Sequence, residues 1–293
     1  MLLALVGVVM FGATLPATRI AVAEFDPWWL AFARAELAAA LAAVALIVTG
    51  QRRPTRKQWP GLALTALGVV LGFPLFSSIA MRSADASHAA VVNGLLPFAT
   101  VIAATLRSGE RPAASFWLAA LAGSAVVAAF ALRNGGGTLA PGDWAMLAAV
   151  AGGALGYAEG GRLARSLGGW QTIAWALIVA APILALPALW LSFSQPFASA
   201  SPRAWAGFLY VSVFSQLIGF LFWYGGMAIG GVARVSQVQL LQLFFTLIFA
   251  WWLLDERVDT ITWLVAGVVV ALIAVGRRAP VRRAVARPRR PTH

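Results

Sequence analysis

The sequence divides into ten apolar segments joined by short polar connections. A helix rises about 1.5 Å per residue, so a segment of about 20 residues can cross roughly 30 Å of hydrocarbon. The predicted transmembrane helices span residues 2–22, 28–49, 60–80, 86–106, 113–132, 142–162, 170–192, 204–227, 233–254 and 260–277. The pattern predicts an all-α integral membrane protein with ten transmembrane helices.

Composition excludes several other classes of protein. The chain of 293 residues is 61% hydrophobic and 11% charged, more apolar than a water-soluble domain can bury. It has no cysteine, which rules out disulfides and cysteine-ligated metals, and it contains no HExxH, aspartate-rich or Walker A motif. We therefore predict no cofactor and no metal. The net charge of +12 would suggest a nucleic-acid partner in a soluble protein, but membrane topology explains it better.

The basic residues predict the orientation in the membrane. With the N-terminus inside, sixteen Arg and Lys residues fall on the cytoplasmic side and five on the other side. Cytoplasmic loops carry this excess in membrane proteins, so we predict a bacterial inner (plasma) membrane protein with both termini in the cytoplasm. Residues 21–23 could serve as a signal-peptide cleavage site, but no Lys or Arg precedes the first segment, and we predict that it is retained.

A weak internal repeat divides the chain into halves. Residues 87–112 resemble residues 233–259 at an offset of 146, which places Phe98 on Phe244 and Thr100 on Thr246. Five helices per half would invert the second copy in the membrane, and inverted repeats characterise alternating-access carriers. We predict a first five-helix repeat over residues 1–138, a second, inverted repeat over 139–278, and a basic disordered cytoplasmic tail over 279–293 that is solvated or touches anionic lipid.

Several soft motifs occur in one order along the whole chain. They are Gly12, Pro27 with Arg34 seven residues later, Ala86-Ser87 with Ala89-Ala90, Leu96-Pro97, and Gly109-Glu110-Arg111. In this order the chain resembles the EamA family of the drug/metabolite transporter superfamily, and within it the YddG-type amino-acid exporters. The resemblance implies ten helices in two repeats and efflux of small metabolites, most plausibly neutral or aromatic amino acids, through a central cavity. Leu243 departs from the family, which usually has proline there.

Polar side chains at membrane depth mark either a cavity or a contact between helices. Gln216 lies mid-way along the eighth segment, and Gln239 and Gln242 share one face of the ninth. Amides and hydroxyls suit an amino acid, because they offer donors to the carboxylate and acceptors to the ammonium. The alternative is that these groups only join helices. The predicted substrate-binding residues are Thr14, Ser78, Asn93, Tyr157, Gln216, Trp223, Gln239 and Gln242.

Helix-breaking residues fall in the same segments and predict hinges. Proline removes a backbone hydrogen bond and bends the helix, while glycine permits flexing or close approach. Fixed kinks and small-residue packing are the alternative. The predicted hinge and gating residues are Pro16, Pro74, Pro97, Gly219 and His88, the last near the outer end of the fourth helix, where an ordinary interface histidine is the alternative.

Two ionisable residues lie about two turns into the second helix. Arg34 and Glu36 are two residues apart and point to different faces, so each needs its own partner. The resemblance implies that Arg34 is structural and bonds backbone carbonyls of a neighbouring helix.

Three functional alternatives remain at this stage. The first is an amino-acid exporter whose partners are its small-molecule substrate and the lipid bilayer. The second is a multidrug or other metabolite exporter of the same superfamily. A membrane-embedded enzyme is remote, since Asp85, Ser87 and His88 lie side by side on one helix and cannot converge on a substrate. The sequence leaves open whether the protein is a monomer or a homodimer.

Overall fold

The computed structural model describes residues 2–108, 111–112, 114–134, 136–230, 238–277 and 281–282. The predicted Gly109-Glu110 turn, residues 233–237 and most of the tail lie outside the described residues. The helices are α1 (Leu2–Gly12), α2 (Thr14–Val22), α3 (Pro27–Val48), α4 (Trp59–Thr65), α5 (Phe73–Ala80), α6 (Ala86–Asn93), α7 (Leu96–Ser108), α8 (Ala114–Asn134), α9 (Pro141–Leu167), α10 (Gly169–Ser192), α11 (Pro202–Leu209), α12 (Gly219–Gly230), α13 (Leu241–Leu254) and α14 (Thr260–Arg277). Two π-helical segments, π1 (Ala66–Gly72) and π2 (Tyr210–Ile218), and two paired strands, β1 (Arg111–Pro112) and β2 (Val281–Arg282), complete the list.

Seven helical stretches in the described residues are long and apolar enough to cross a membrane. They are Leu2–Val22, Pro27–Val48, Trp59–Ala80, Ala86–Leu106, Trp117–Asn134, Gly169–Ser192 and Pro202–Ile229. Two shorter apolar helices, Leu241–Leu254 and Thr260–Leu272, follow them. Helix α9 is long but carries four charged residues, including Asp143 and Glu159. This confirms a helical membrane protein, while ten crossings stay a prediction.

Four of the seven stretches are interrupted part-way. The first breaks at Ala13 between α1 and α2, and the fourth at Gly94-Leu95, directly before Pro97 in the first turn of α7. The third and eighth predicted segments widen instead into π1 and π2. π-Helical segments inside α-helices are rare and are frequently found at functional sites, and these two, of seven and nine residues, are longer than the usual single turn. The interruptions therefore concentrate in the helices to which the sequence assigns hinges.

The helices pack in a regular order. Helix α3 lies along α10, α1 along α12, and α8 along α14. Helix α9 packs against π1, α5 and α7, and α13 packs against both α1 and α6. Several contacts are made at glycine: a Cβ on Gly7 would lie 2.9 Å from the carbonyl oxygen of Gly219, and a Cβ on Gly68 would lie 2.5 Å from that of Gly152. Only glycine allows backbones to come this close.

Polar connections join the helices at each end of the bundle. At the end that the charge pattern predicts to be extracellular, which we name the outer end, Asp26 caps α3 by accepting from the N–H groups of Trp28 and Trp29. At the opposite, inner end, Gln51 accepts from Gln171 at 3.0 Å. Apolar side chains fill the space between these two ends, interrupted by the cavities described below.

Candidate functional site

A narrow cavity with about 20 Å³ of free volume lies where six of the predicted transmembrane segments meet. We name it the central cavity. Five of its lining residues are apolar or proline, and six carry polar groups. The lining residues are Phe11, Thr14, Arg34, Val69, Phe73, Pro74, Tyr157, Ser215, Gln216, Phe220 and Gln242. Four of the predicted substrate-binding residues, Thr14, Tyr157, Gln216 and Gln242, are therefore brought together around one space.

A second, smaller cavity with about 10 Å³ of free volume adjoins the first through Gln242, and we name it the side cavity. Asn93 and Gln239 line it, and Gln242 lines both cavities. The fourth segment, which the sequence assigned to the central site, thus contributes to the side cavity through Asn93 and Pro97. The second segment was not assigned to the site, but it contributes Arg34 to the central cavity.

The position of Gln216 follows from a proline in another helix. In π1 the N–H of Phe73 bonds the carbonyl of Gly68, five residues earlier, so the next N–H in the ladder would be that of residue 74. Residue 74 is proline and has no N–H, which leaves the carbonyl of Val69 without its ladder donor. The side-chain amide of Gln216, in π2, donates to that carbonyl at 3.0 Å. Gln216 therefore joins two helices and lines the cavity as well.

Arg34 is buried, with 1% of its surface exposed, and lines the central cavity. Its Nη2 donates to the hydroxyl of Ser215 at 3.2 Å, whereas the resemblance implied bonds to backbone carbonyls. Its Nε and Nη1 have no hydrogen-bond partner among the described residues. No acidic residue lines the central cavity, so the guanidinium faces it without a carboxylate counter-ion from the described part of the chain.

Ser215 is a site residue that the sequence analysis missed. Its hydroxyl lies 2.8 Å from that of Thr14, so the hydroxyl that accepts from Arg34 can also donate to Thr14. On an α-helix Ser215 lies at the edge of the face that Ser212 and Gln216 share, so the α-helical period does not single it out. The wider π turn changes that register and brings Ser215 and Gln216 to the cavity together. Pro74, in the first turn of α5 directly after π1, is a helix-breaking signal for π1, but no comparable residue identifies π2.

The side cavity collects amide groups that lack partners. Among the described residues, Asn93 Oδ1, Gln242 Oε1 and both polar atoms of the Gln239 side chain are buried without a hydrogen bond. A buried polar group without a partner costs free energy, commonly about 1–3 kcal/mol. Groups of this kind cluster where a ligand or water supplies the missing bond.

Aromatic rings form one wall of the central cavity. The Phe11 and Phe220 ring centroids are 4.9 Å apart, and the Tyr157 ring lies 5.7 Å from that of Phe220. Trp223 is fully buried behind this wall, 5.7 Å from Tyr157, and does not line either cavity. Its contact with substrate stays a prediction.

The remaining predicted residues lie elsewhere. The Ser78 hydroxyl donates to the carbonyl of Pro74 at 2.7 Å, which occupies it within its own helix. Pro16 and Gly219 lie just after the break in the first segment and at the end of π2. Glu36 is partly exposed and does not line the cavities, and its Oε1 has no partner among the described residues.

His88 lies at the outer end, away from both cavities. Its Nε2 is 2.6 Å from the Asp143 carboxylate, its Nδ1 is 3.1 Å from the Asn134 amide, and its ring stacks on Phe130. Beside it, the Glu256 carboxylate accepts from the N–H groups of Ala86 and Ser87 at 2.9 and 2.8 Å.

Arg19 completes this outer arrangement. Its guanidinium lies 3.0 Å from Asp85 and 3.7 Å from Glu256. We name Arg19, Asp85, Glu256 and the two N–H groups of Ala86 and Ser87 the outer polar network. It links the outer ends of α2, α6 and α13.

The groups around the two cavities suit binding rather than catalysis. They are amides, hydroxyls and one guanidinium, without a paired acid and base or a nucleophile next to a base. In the described residues no three His, Cys, Asp or Glu side chains are grouped as metal ligands. The polar groups next to an aromatic wall can hold a small molecule with a charged or polar head and an apolar body.

Comparison with known proteins finds one matching family and relatives that are named as a transporter or an exporter. The profile of the EamA-like transporter family matches residues 1–132 and 140–276. The chain is 44% identical over 273 residues to "Uncharacterized transporter YdeK" of Bacillus subtilis (strain 168), covering 93% of this chain and 95% of the relative. It is 27% identical over 241 residues to "Probable terminal-alkyne amino-acid exporter" of Streptantibioticus cattleyicolor, covering 80% and 78%.

The fold is also similar to that of a solved structure. A chain described as "Crystal structure of protein" superimposes with a TM-score of 0.63 at 21% sequence identity, covering 94% of both chains. At this identity the similarity concerns the arrangement of helices alone.

Proposed function

The chain belongs to the EamA-like transporter family, and on that premise we propose that it exports neutral or aromatic amino acids by alternating access. The family and the transporter named among its relatives make it a multi-pass membrane transporter and not an enzyme. Its small-molecule substrate and the membrane lipids are its partners. The amino-acid substrate, the route and the mechanism are the proposal.

One observation carries the proposal. Arg34, Asn93, Gln239 and Gln242 line two adjoining cavities and carry buried polar atoms without partners among the described residues, and aromatic rings form part of the wall of the central cavity. A zwitterion with an apolar side chain matches both features, because its charged end takes the missing hydrogen bonds and its side chain meets the rings. The relative named as a probable amino-acid exporter supports this class of substrate.

We further propose that the chain crosses the membrane ten times as two inverted five-helix repeats, residues 1–138 and 139–278, before the tail at 279–293. The packing supports this symmetry. In such a repeat each predicted segment of the first half corresponds to the segment five positions later in the second half. The contact between α1 and α12 then corresponds to the contact between α9 and α5. The contact between α3 and π2 corresponds to the contact between α10 and π1. The two π segments exchange places in the same way, and the family profile matches both halves.

The ends of the less apolar helices support the same count. Asp143 at the start of α9 contacts His88 at the outer end, whereas Ser166 near its end contacts Gln58 at the inner end. Strand β2, after α14, pairs with β1, which follows α7. Reporter fusions test the topology: after Gly50 and after Arg277 they should report cytoplasm, and after Asn134 the outside of a bacterial inner membrane. A cytoplasmic signal after Asn134 contradicts the inverted repeat.

Alternating access requires that the two ends open in turn, and the interrupted helices supply the bending points. Pro16, Pro74, Pro97 and Gly219 lie at these interruptions, and we propose that α1, π1, α7 and π2 bend there. The outer polar network and the His88–Asp143 pair hold the outer end together in this structure. Opening outward then separates these groups, which gives His88 a gating role.

Both cavities are lined by a single chain, so we propose that each chain is a complete transport unit, whether it acts as a monomer or within a homodimer. Within this unit Gln242, Gln239 and Asn93 contact the substrate together with Thr14, Tyr157 and Gln216. Trp223 and Ser78 support them from the second layer.

Transport by the purified protein tests the proposed function. Reconstituted into liposomes without ATP, the protein should move radiolabelled L-phenylalanine down its gradient faster than protein-free liposomes do. A panel that includes tetraphenylphosphonium separates the alternatives. Flux of the lipophilic cation with no flux of phenylalanine or leucine would refute amino-acid export and favour the multidrug alternative.

A further inference from the structure

We propose that Arg34 is a carboxylate-binding residue of the central cavity, and that the protein selects its substrates by a free carboxylate rather than by an ammonium group. This inference rests on the proposed function in one respect, namely that the central cavity is the transport site. It departs from the structural role that the family resemblance implied for Arg34.

The first step is the state of the guanidinium. Arg34 is buried in the membrane-spanning region, and arginine stays charged in proteins because its intrinsic pKa is so high. A buried charge is normally paired, and among the described residues the other buried charges follow that rule, since Asp143 pairs with His88 and Glu159 with Arg162. Arg34 makes one hydrogen bond, to the neutral hydroxyl of Ser215.

The second step is direction. The two nitrogens without partners, Nε and Nη1, belong to a side chain that lines the cavity. Ser215 holds Nη2, and Thr14 lies next to Ser215, so the guanidinium is fixed at one corner while its other donors are open. Nε and Nη1 do not form a fork with each other, but either can act with the second N–H of Nη2 to bind the two oxygens of a carboxylate in parallel. Such charge-assisted pairing is about twice as strong as a neutral one.

The third step concerns the other end of the substrate. An ammonium group would be matched by a carboxylate of the protein, but no Asp or Glu in the described part of the chain lines the central or the side cavity. The ammonium can donate hydrogen bonds only to neutral oxygens such as those of Gln242 and Asn93. A carboxylate on the substrate therefore contributes much more to binding than an ammonium group does. Small aromatic or aliphatic monocarboxylates without an amino group accordingly belong to the substrates of the protein.

Three probes of one shape test this inference on the full-length purified protein. L-phenylalanine carries both charged groups, 3-phenylpropionate carries the carboxylate alone, and L-phenylalaninamide carries the ammonium alone. Calorimetric titration should give similar dissociation constants for the first two, within about threefold, and binding of the amide weaker by about ten- to hundredfold. Binding of the amide as tight as that of 3-phenylpropionate overturns the inference without any variant.

Variants then connect the selectivity to Arg34. Arg34→Gln should weaken the binding of 3-phenylpropionate by about ten- to hundredfold and abolish the preference for it over the amide. Arg34→Lys should weaken the binding of 3-phenylpropionate by about tenfold, because lysine keeps the charge but not the two parallel donors. Glu36→Gln, on the same helix but away from both cavities, is the matched control and should bind as the wild type does. If both Arg34→Lys and Arg34→Gln still prefer 3-phenylpropionate over the amide as the wild type does, the inference is overturned. If neither variant folds, the binding of the three probes to the wild type alone tests the inference.

The outcomes separate this inference from the proposed function. If the protein binds and transports 3-phenylpropionate through Arg34 but moves no amino acid, export of amino acids is refuted and the carboxylate site stands. If phenylalanine is transported equally well by the wild type and Arg34→Gln, export stands and the carboxylate site is refuted. If Arg34 is simply hydrated and does not contact the ligand, the wild type and Arg34→Gln transport phenylalanine equally well.

Discussion

The outer polar network and the central cavity both contain polar side chains that differ in their hydrogen bonding. Those at the outer end have partners within the protein, and several of those around the cavities do not. At the outer end, the 12%-exposed Glu256 side chain has two N–H donors and a nearby guanidinium, and Asp143 has both a histidine and a backbone N–H. Around the two cavities, Arg34, Asn93, Gln239 and Gln242 keep polar atoms without partners among the described residues. Arg19 and Asp85 are partly exposed, but Asp143 and Glu256 are largely removed from water, so burial does not separate these two carboxylates from the cavity groups.

What distinguishes them is whether the protein supplies the partners itself. A polar group that is satisfied internally stabilises the fold, and removing it leaves its partner unpaired. A buried polar group that is left open costs stability, so it persists where another molecule supplies the bond. The two regions therefore predict opposite effects of the same type of substitution, on stability at the outer end and on binding in the cavities.

The largest effect is expected at Glu256. Glu256→Gln removes the charge that faces Arg19 and the first turn of α6, so we expect about 2–3 kcal/mol less unfolding free energy. Unfolding in mixed detergent, followed by tryptophan fluorescence, measures the loss. The control is Asp255→Asn, at an exposed neighbour in the left-handed conformation that Asn tolerates, and it should change little. Equal losses in the two variants contradict a specific role for the network.

Gln242→Leu should show the reverse pattern. It removes an amide whose Oε1 has no partner, so the fold should be unchanged or more stable by up to about 1 kcal/mol. The half-saturating concentration for phenylalanine flux should rise about ten- to hundredfold, because a bond to a charged ligand group is lost. Gln171→Leu, at the inner end of α10, is the matched control. Normal flux in Gln242→Leu means that the amide serves only to join helices.

The pair of Gln216 and Pro74 allows a rescue experiment. Gln216→Leu leaves the Val69 carbonyl unpaired and should cost about 1–2 kcal/mol of stability. Adding Pro74→Ala restores a backbone N–H in π1 that can bond that carbonyl, so the double variant should recover part of the loss. The same detergent unfolding measures all three variants. Additive losses would show that the proline does not explain the position of Gln216.

The smallest effect is expected at the exposed Glu24. Hydrogen bonds from the Ser201 hydroxyl and then from its N–H hold the pKa of Glu24 below its usual 4.5. A carboxyl whose pKa is lowered by folding stabilises the fold above its unfolded pKa, and that gain is lost as the pH falls through the folded pKa. The melting temperature of the wild type should therefore exceed that of Glu24→Gln at pH 6–7, and the difference should vanish as the pH falls well below about 4.5. A difference that is constant with pH contradicts this account.

The sequence predicted the components of the site better than their arrangement. Hydropathy and spacing identified the helical membrane class, and polar residues in apolar segments identified Thr14, Tyr157, Gln216 and Gln242, which line the central cavity. These signals are local, because the hydropathy of a segment and the polar residues within it are read from that segment alone. Which helices meet at the cavity depends on packing between distant segments, so the side cavity around Asn93 and Gln239 was not foreseen.

Arg34 and Ser215 show the same limit in detail. Arg34 was recognised as an intramembrane charge, but its partner could not be read from a chain in which the candidate, Ser215, lies 181 positions away. Ser215 itself was missed because an α-helical period does not apply inside π2. A proline reveals where π1 departs from that period, and no comparable residue marks π2.

The measurement that tests the central claim most directly is ligand-dependent stabilisation in two variants. A ligand that binds only the folded protein raises its melting temperature with concentration. With increasing L-phenylalanine, Glu256→Gln should start from a lower melting temperature and keep the full ligand-dependent rise. Gln242→Leu should start at or above the wild-type temperature and lose most of that rise. If Gln242→Leu keeps the rise, or if Glu256→Gln loses it as completely, then the open polar atoms of the cavities do not mark the ligand site.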